Sequence, residues 1–193
     1  MNFSAVILAG GKSSRMGRDK ARLEVGGQTL LARQIQLAQG AGATEIFLSG
    51  RAETDYAEFG CRVLLDKYPG AGPLAGIESA LNAAGSHRLL VLAVDLPEMN
   101  VDFLKRQLAN CPEKAGVIPR LNGNIEPLAA IYPKSSQPLV ETLLCEGNNA
   151  VVNFARRCVE SGFARFLELS ADDARHFTNW NSPADLASMA IKR

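Results

Sequence analysis

The run Phe3-Ser4-Ala5-Val6-Ile7-Leu8-Ala9-Gly10-Gly11-Lys12-Ser13-Ser14-Arg15-Met16-Gly17-Arg18-Asp19-Lys20 decides the fold. Its first six residues form a short, nearly unbroken apolar stretch, the pattern of a strand buried on both faces. The stretch ends at paired glycines. Gly10 and Gly11 let the backbone turn sharply and approach a ligand closely, and their N–H groups can converge on phosphate oxygens. Lys12, Arg15, Arg18 and Lys20 follow within nine residues beside a single acid, Asp19. The connection to the first helix runs from Ala9 to Gln28, whereas βα loops usually take about 2–6 residues. A loop of that length at the carboxyl end of an α/β strand is where ligands bind.

Outward from this segment, short apolar runs alternate with helical patterns. Leu30 to Gln39 carries apolar residues at helical spacing, with Thr29 as N-cap and Gly40 as stop. Glu45 to Ser49 and Arg62 to Leu65 read as strands, Leu74 to Ala84 as a helix ended by Gly85, and Leu89 to Val94 as the strongest strand. Val101 to Ala109 follows as a helix capped by Asn100. This alternation predicts an α/β fold: a Rossmann-like three-layer sandwich with a mostly parallel central sheet and helices on both faces. The second half is less regular. Gly116 to Ile118, Pro127 to Tyr132 and Phe163 to Leu169 are expected strands; Gln137 to Cys145 and Val151 to Ser161 are expected helices. Ser182-Pro183-Ala184-Asp185 has the chemistry of a helix start. No linker divides the chain, so residues 1–193 are expected to form one domain.

Composition narrows the function. The 193 residues include 21 Lys plus Arg and 20 Asp plus Glu, a net charge of +1. That balance excludes a broadly basic nucleic-acid-binding surface. An apolar content of 47% excludes a disordered chain. Cys61, Cys111, Cys145 and Cys158 are irregularly spaced, with no C-x-x-C and no neighbouring His87 or His176, which argues against a zinc site or a disulfide framework. Both histidines are expected at the surface. No apolar run approaches the roughly 18 residues that span a bilayer, and the apolar start is too short for a signal peptide. The expectation is a reduced, cytoplasmic, soluble protein.

Several residues carry chemistry. Arg15 offers a planar fork and Lys20 a point charge, both suited to neutralising a polyphosphate. A P-loop, G-x-x-x-x-G-K-[ST], would need glycine where Val6 stands, and no G-x-G-x-x-G is present. Asp95, in Leu92-Ala93-Val94-Asp95-Leu96-Pro97, follows the strongest strand, where a ligand crevice should open. A hard carboxylate there suits Mg²⁺, which takes one or two carboxylates plus substrate phosphates. Asp66 also sits at a strand end and is expected to contact ligand. Pro73 and Gly76, in Gly70-Ala71-Gly72-Pro73-Leu74-Ala75-Gly76, suit a rigid turn feeding a helix N-terminus. Asn122-Gly123-Asn124 with Glu126-Pro127-Leu128 suits a turn before a strand.

The motif L-A-G-G-x-S-x-R-M-G-x-D-K over Leu8–Lys20 resembles the signature of the molybdenum cofactor guanylyltransferases, the MobA family, and three later motifs match in order. These are Asp66 with Gly72-Pro73-Leu74-Ala75-Gly76, the D-x-P of Asp95-Leu96-Pro97, and Asn179-Trp180-Asn181-Ser182-Pro183-Ala184-Asp185-Leu186. The resemblance covers nearly the whole chain. It implies GMP transfer from GTP to the terminal phosphate of molybdopterin, with release of pyrophosphate. It implies Leu8, Ala9, Gly10, Gly11, Lys20, Ser49, Asp66, Pro73, Gly76 and Asp95 as nucleotide contacts, and Arg15, Lys20 and Asp95 as the catalytic set. It further implies Asp95 as the Mg²⁺ ligand, and Asn179 and Asn181 on the acceptor side. Further implied partners are molybdenum-insertion proteins, apo-molybdoenzymes and their chaperones, with neither nucleic acid nor membrane involved. The chain departs from the family at Ser49, where guanylyltransferases tend to carry asparagine, and near Asn149, where members often carry arginines. Gly10 favours guanine, because the cytidylyltransferases that act on molybdopterin resemble L-A-A-G at this motif. A CTP- or sugar-phosphate-dependent relative and a non-catalytic nucleotide-binding protein remain the alternatives.

Overall fold

Strand β1, Ser4–Leu8, is buried at every position and lies inside the sheet. It pairs in parallel with β4 (Glu45–Ser49) on one side and β6 (Arg88–Ala93) on the other. Two ladders and two covered faces leave no position for a solvated side chain, which is why the sequence does not alternate. The computed structural model describes residues 2–10, 20–50 and 54–178.

The sheet runs β10-β7-β9-β6-β1-β4-β5, with β5 Arg62–Leu64, β7 Gly116–Leu121, β9 Ala129–Pro133 and β10 Ala164–Glu168. The short β8, Asn124–Ile125, pairs with β7 through a turn in which Asn122 and Gly123 both take positive φ. The sheet is mixed rather than wholly parallel. Strand β9 runs antiparallel to both β6 and β7, while the β5-β4-β1-β6 block and the β7–β10 pair are each parallel. With β9 interposed, β7 and β10 point the same way as β1, so every parallel strand presents its carboxyl end at one edge.

Helices cover both faces. Helices α1 (Leu30–Ala41) and α3 (Val101–Ala109) bury Leu30, Leu31, Ile35, Phe103 and Leu104 against Ile7, Leu48, Leu90 and Leu92. On the other face α2 (Pro73–Ala83), α4 (Gln137–Cys145) and α5 (Val151–Glu160) bury Leu74, Ile77, Leu81, Val140 and Phe154 against Val6, Phe47, Leu89, Val91 and Tyr132. The parity of each strand thus sorts its side chains between two cores. Thr29 Oγ1 accepts from the Ala32 amide at 3.2 Å and Asn100 Oδ1 from the Phe103 amide at 2.8 Å, so both expected caps form.

Several boundaries move. Helix α1 does not stop at Gly40. It runs to Ala41, and Gly42, at φ 98°, forms the left-handed cap. Gly40 instead meets α3: a Cβ there would lie 3.0 Å from Val101 Cγ2. Helix α2 closes at Ala84, before Gly85, whose amide donates to Glu45 Oε2 at 2.9 Å. Strand β7 extends to Leu121, and Pro127 and Leu128 belong to the turn before β9. The long connection after β1 contains regular structure among its described residues. It holds a 3-10 turn, Lys20–Arg22, and a hairpin of β2 (Glu24–Val25) and β3 (Gln28–Thr29) closed by Gly26 and Gly27 at positive φ. A 3-10 helix at Ala171–Phe177 was not expected. It corrects the surface placement of His176, which is 3% exposed, bonds the Glu98 carbonyl through Nδ1 at 2.9 Å and packs on Phe103. His87 is exposed as expected.

Candidate active site

The carboxyl edge of the sheet assembles the site from four strand ends. Leu8 pairs with Ser49 and with Ala93, and Ser49 pairs with Leu64. These four residues form one row across the sheet. At about 4.8 Å between strands the row spans roughly 14 Å, a length suited to a nucleotide with its phosphates. Asp66 lies two residues beyond one end of the row and Asp95 two residues beyond the other.

On the Asp66 side, Ser49 is the hub. Its carbonyl accepts from the amides of both Ala9 and Gly10 at 2.9 Å. The Gly10 amide, expected among the phosphate contacts, is engaged with β4 in this structure. Gly10 still brings backbone close, since a Cβ would lie 3.5 Å from the Ser49 carbonyl. Ser49 Oγ donates to Asp66 Oδ1 at 3.5 Å. Burial pushes the Asp66 carboxyl up; the Ser49 hydroxyl works against that shift, and the charge of Glu78 adds to it. Gly76 presses on the same hydroxyl from α2. A Cβ at Gly76 would meet Ser49 Oγ at 2.2 Å, Ser49 Cβ at 2.8 Å and Leu8 Cδ2 at 3.1 Å. Only glycine lets the first turns of α2 lie against the ends of β1 and β4. Pro73, exposed at the first helical position, starts that turn.

On the Asp95 side, β6 is tied to β1 by the Val94 amide, which donates to the Leu8 carbonyl at 3.3 Å. Asp95 follows at once. Its Oδ2 lies 3.3 Å from Lys20 Nζ, with both side chains mostly covered. Lys20 is held by the 3-10 turn, whose Ala21 is fully buried. An ammonium on this carboxylate shows that the position receives a cation. Asp95 offers hard oxygens, and Mg²⁺ typically takes one or two protein carboxylates plus phosphates, so the residues fit such an ion. Farther along the same edge, at the end of β8, Glu126 has its carboxyl pushed up by burial.

The structure therefore places Leu8, Ala9, Gly10, Ser49, Asp66, Pro73 and Gly76 around one end of the row and Lys20 and Asp95 at the other. Gly11, Arg15, Asn179 and Asn181 lie outside the described residues. Sequence reasoning missed Tyr56, which is 2% exposed and lies against Gly50 so closely that a Cβ there would meet its ring at 2.4 Å. Its only signal was an aromatic next to an interrupted apolar pattern.

An α/β sheet with Gly10, a lysine and an aspartate at its carboxyl edge is the kind of arrangement that nucleotide-dependent group-transfer enzymes use. Residues 5–161 match the model of the MobA-like NTP transferase domain, and the chain belongs to that family, as a nucleotidyltransferase. A curated relative from Opitutus terrae, named a probable molybdenum cofactor guanylyltransferase, is 36% identical over 186 residues, covering 95% of this chain and 92% of that protein. The crystal structure of molybdopterin-guanine dinucleotide biosynthesis protein A from Archaeoglobus fulgidus superposes with a TM-score of 0.78 at 21% identity, covering 100% of both chains. The 4-diphosphocytidyl-2C-methyl-D-erythritol synthase of Anaerococcus prevotii superposes at 0.77 with 14% identity, covering 99% of this chain and 96% of that one. The last two likenesses show the fold alone.

Proposed function

We propose that this protein transfers GMP from GTP to the terminal phosphate of molybdopterin. A phosphate oxygen of the acceptor attacks the α-phosphorus, the bond to the β-phosphate breaks, and pyrophosphate leaves. The observation that carries this reading is the Lys20–Asp95 couple, 3.3 Å apart at the end of β6, in a chain 36% identical to a relative named for this activity. The acceptor phosphate is already ionised at neutral pH, so no general base is needed. The work of the protein is positioning and charge neutralisation. Lys20 and Arg15 balance charge on the departing pyrophosphate. Asp95 would hold Mg²⁺, which would supply Lewis-acid polarisation of the phosphoryl oxygens. Ser49 and Asp66 line the nucleoside end of the row, and Asn179 and Asn181 serve the acceptor.

On this reading residues 1–193 are one cytoplasmic transfer domain. Its product passes to molybdenum-insertion proteins, apo-molybdoenzymes and their chaperones. Among the described residues no helix is long and apolar enough to cross a membrane. The test is pyrophosphate release from GTP with and without molybdopterin. Release that needs both substrates, and that Asp95→Ala abolishes, is the expected result. An active Asp95→Ala enzyme would remove the metal assignment. Thermal stabilisation by CTP but not GTP, each with Mg²⁺, would move the assignment to a cytidylyltransferase.

A further inference from the structure

The carboxylate oxygen that suits a divalent cation is one that the chain's own ammonium occupies. Lys20 Nζ sits 3.3 Å from Asp95 Oδ2, with side-chain exposures of 21% and 25%. Both backbones are anchored. The Leu23 amide donates to the Lys20 carbonyl at 3.1 Å, closing the 3-10 turn, and the Val94 amide fixes the approach to Asp95. What can move is the four-carbon stem of Lys20, which carries three donors and no acceptor. A divalent ion on Oδ2 would stand within a few ångströms of that ammonium, and like charges so close in a mostly covered site repel strongly. The metal therefore settles more readily once the ammonium has left Asp95, and a triphosphate supplies oxygens that draw the ammonium away.

We propose that Lys20 is a counter-ion to Asp95 that competes with the metal and that the incoming triphosphate relieves. The ammonium moves from carboxylate to phosphate, and the carboxylate then takes the ion. Nucleotide and metal thereby bind with positive coupling, each favouring the other. A metal without nucleotide is held weakly, and Asp95 is kept from binding stray cations. This inference rests on the proposed nucleotidyl transfer, because it takes a triphosphate as the group to which Lys20 moves.

The test uses Mn²⁺ alone as the probe, titrated by electron paramagnetic resonance into nucleotide-free protein. Lys20→Gln is expected to bind Mn²⁺ about tenfold more tightly than wild type, the size expected for removing one nearby cation from a partly covered site. Lys20→Arg keeps the cation and should stay as weak as wild type. In an Asp95→Asn background the gain should vanish, because the competition is for that carboxylate. Lys20→Gln binding Mn²⁺ no more tightly than wild type would overturn the proposal, as would a gain that survives Asp95→Asn. The two readings separate cleanly. An enzyme that releases pyrophosphate but shows no gain in Lys20→Gln loses the ion exchange alone. A protein that shows the gain but releases no pyrophosphate keeps the competition and loses the substrate assignment.

Discussion

Gly76 has no side chain, yet it sets the geometry of the Ser49–Asp66 end of the row. Adding one methyl group would drive into Ser49 Cβ, which no side-chain rotation moves, and press on Leu8 Cδ2. Gly76→Ala is expected to destabilise the fold by about 2 kcal/mol, measured by urea unfolding, and to weaken GTP binding. Adding Ser49→Ala should recover part of the stability, because it removes the 2.2 Å contact with Oγ but leaves the contact with Cβ. Asp66 predicts the opposite trade. Its folded pKa is raised, so the native state holds the proton more tightly than the unfolded chain does. Stability from this group falls as pH rises through that raised value, and at neutral pH the buried charge is a net cost. Asp66→Asn should therefore raise the melting temperature by up to about 2 °C while lowering GTP affinity. An unchanged or lower melting temperature at pH 7 would contradict the burial argument. Asp66 and Asp95 were legible in sequence because each follows a strand, Gly76 because it lies where a helix opens, and Lys20 because it is a cation of the Gly-rich loop. Their interplay was not. That the Gly10 amide bonds Ser49, or that Lys20 rests on Asp95, depends on how loops far apart in sequence meet, and no periodicity records it.

At the scale of elements, the 3-10 helix Ala171–Phe177 shows how much local chemistry secures a short segment. Ser170 and Asp173 form a reciprocal cap, and the Asp173 carboxylate also accepts from Arg106 of α3. Burial alone would raise the Asp173 carboxyl, but the Arg106 and Ser170 hydrogen bonds outweigh it and hold the group below the usual carboxylate range. A lowered folded pKa means the contribution is fully present above the ordinary carboxylate value and is lost as pH falls through the folded one. Asp173→Asn should cost about 1–2 kcal/mol at pH 7. Its gap to wild type should narrow as denaturation is repeated toward about pH 3. This element escaped the sequence reading because seven residues of 3-10 helix are too few to show a hydrophobic period, and its cap spans only four residues. The long helices were legible because Thr29 and Asn100 announce their starts. The end of α1 was misread because two glycines compete there. Gly40 is small to admit Val101, and Gly42 is the one that takes positive φ.

For the whole molecule, two cores on opposite faces of one sheet protect the thiols unequally. Cys158 is fully buried, and burial pushes its thiol up to about 12. Cys111 is buried and shifted the same way, Cys61 is partly buried and also raised, and Cys145 is exposed. In native protein a thiol reagent such as dithionitrobenzoate should modify Cys145 within minutes and leave Cys158 untouched until denaturant is added. Rapid native labelling of Cys158 would mean that the α5 face opens readily. The fold class was legible as α/β because the first half repeats strand and helix. The reversal at β9 was not, since a buried antiparallel strand and a buried parallel one have the same composition. That reversal also governs how the molecule breathes. Strand β9 is laddered to β6 from Arg88–Pro133 through Leu92–Ala129, but to β7 only at Val117–Ile131. A ladder that thin is a seam. Amide hydrogens of β7 and β10 should exchange with solvent through a partial opening that leaves β1, β4 and β6 closed. The half of the sheet beyond β9 would then open and close on its own, while the strands that carry Leu8, Ser49 and Ala93 keep their register.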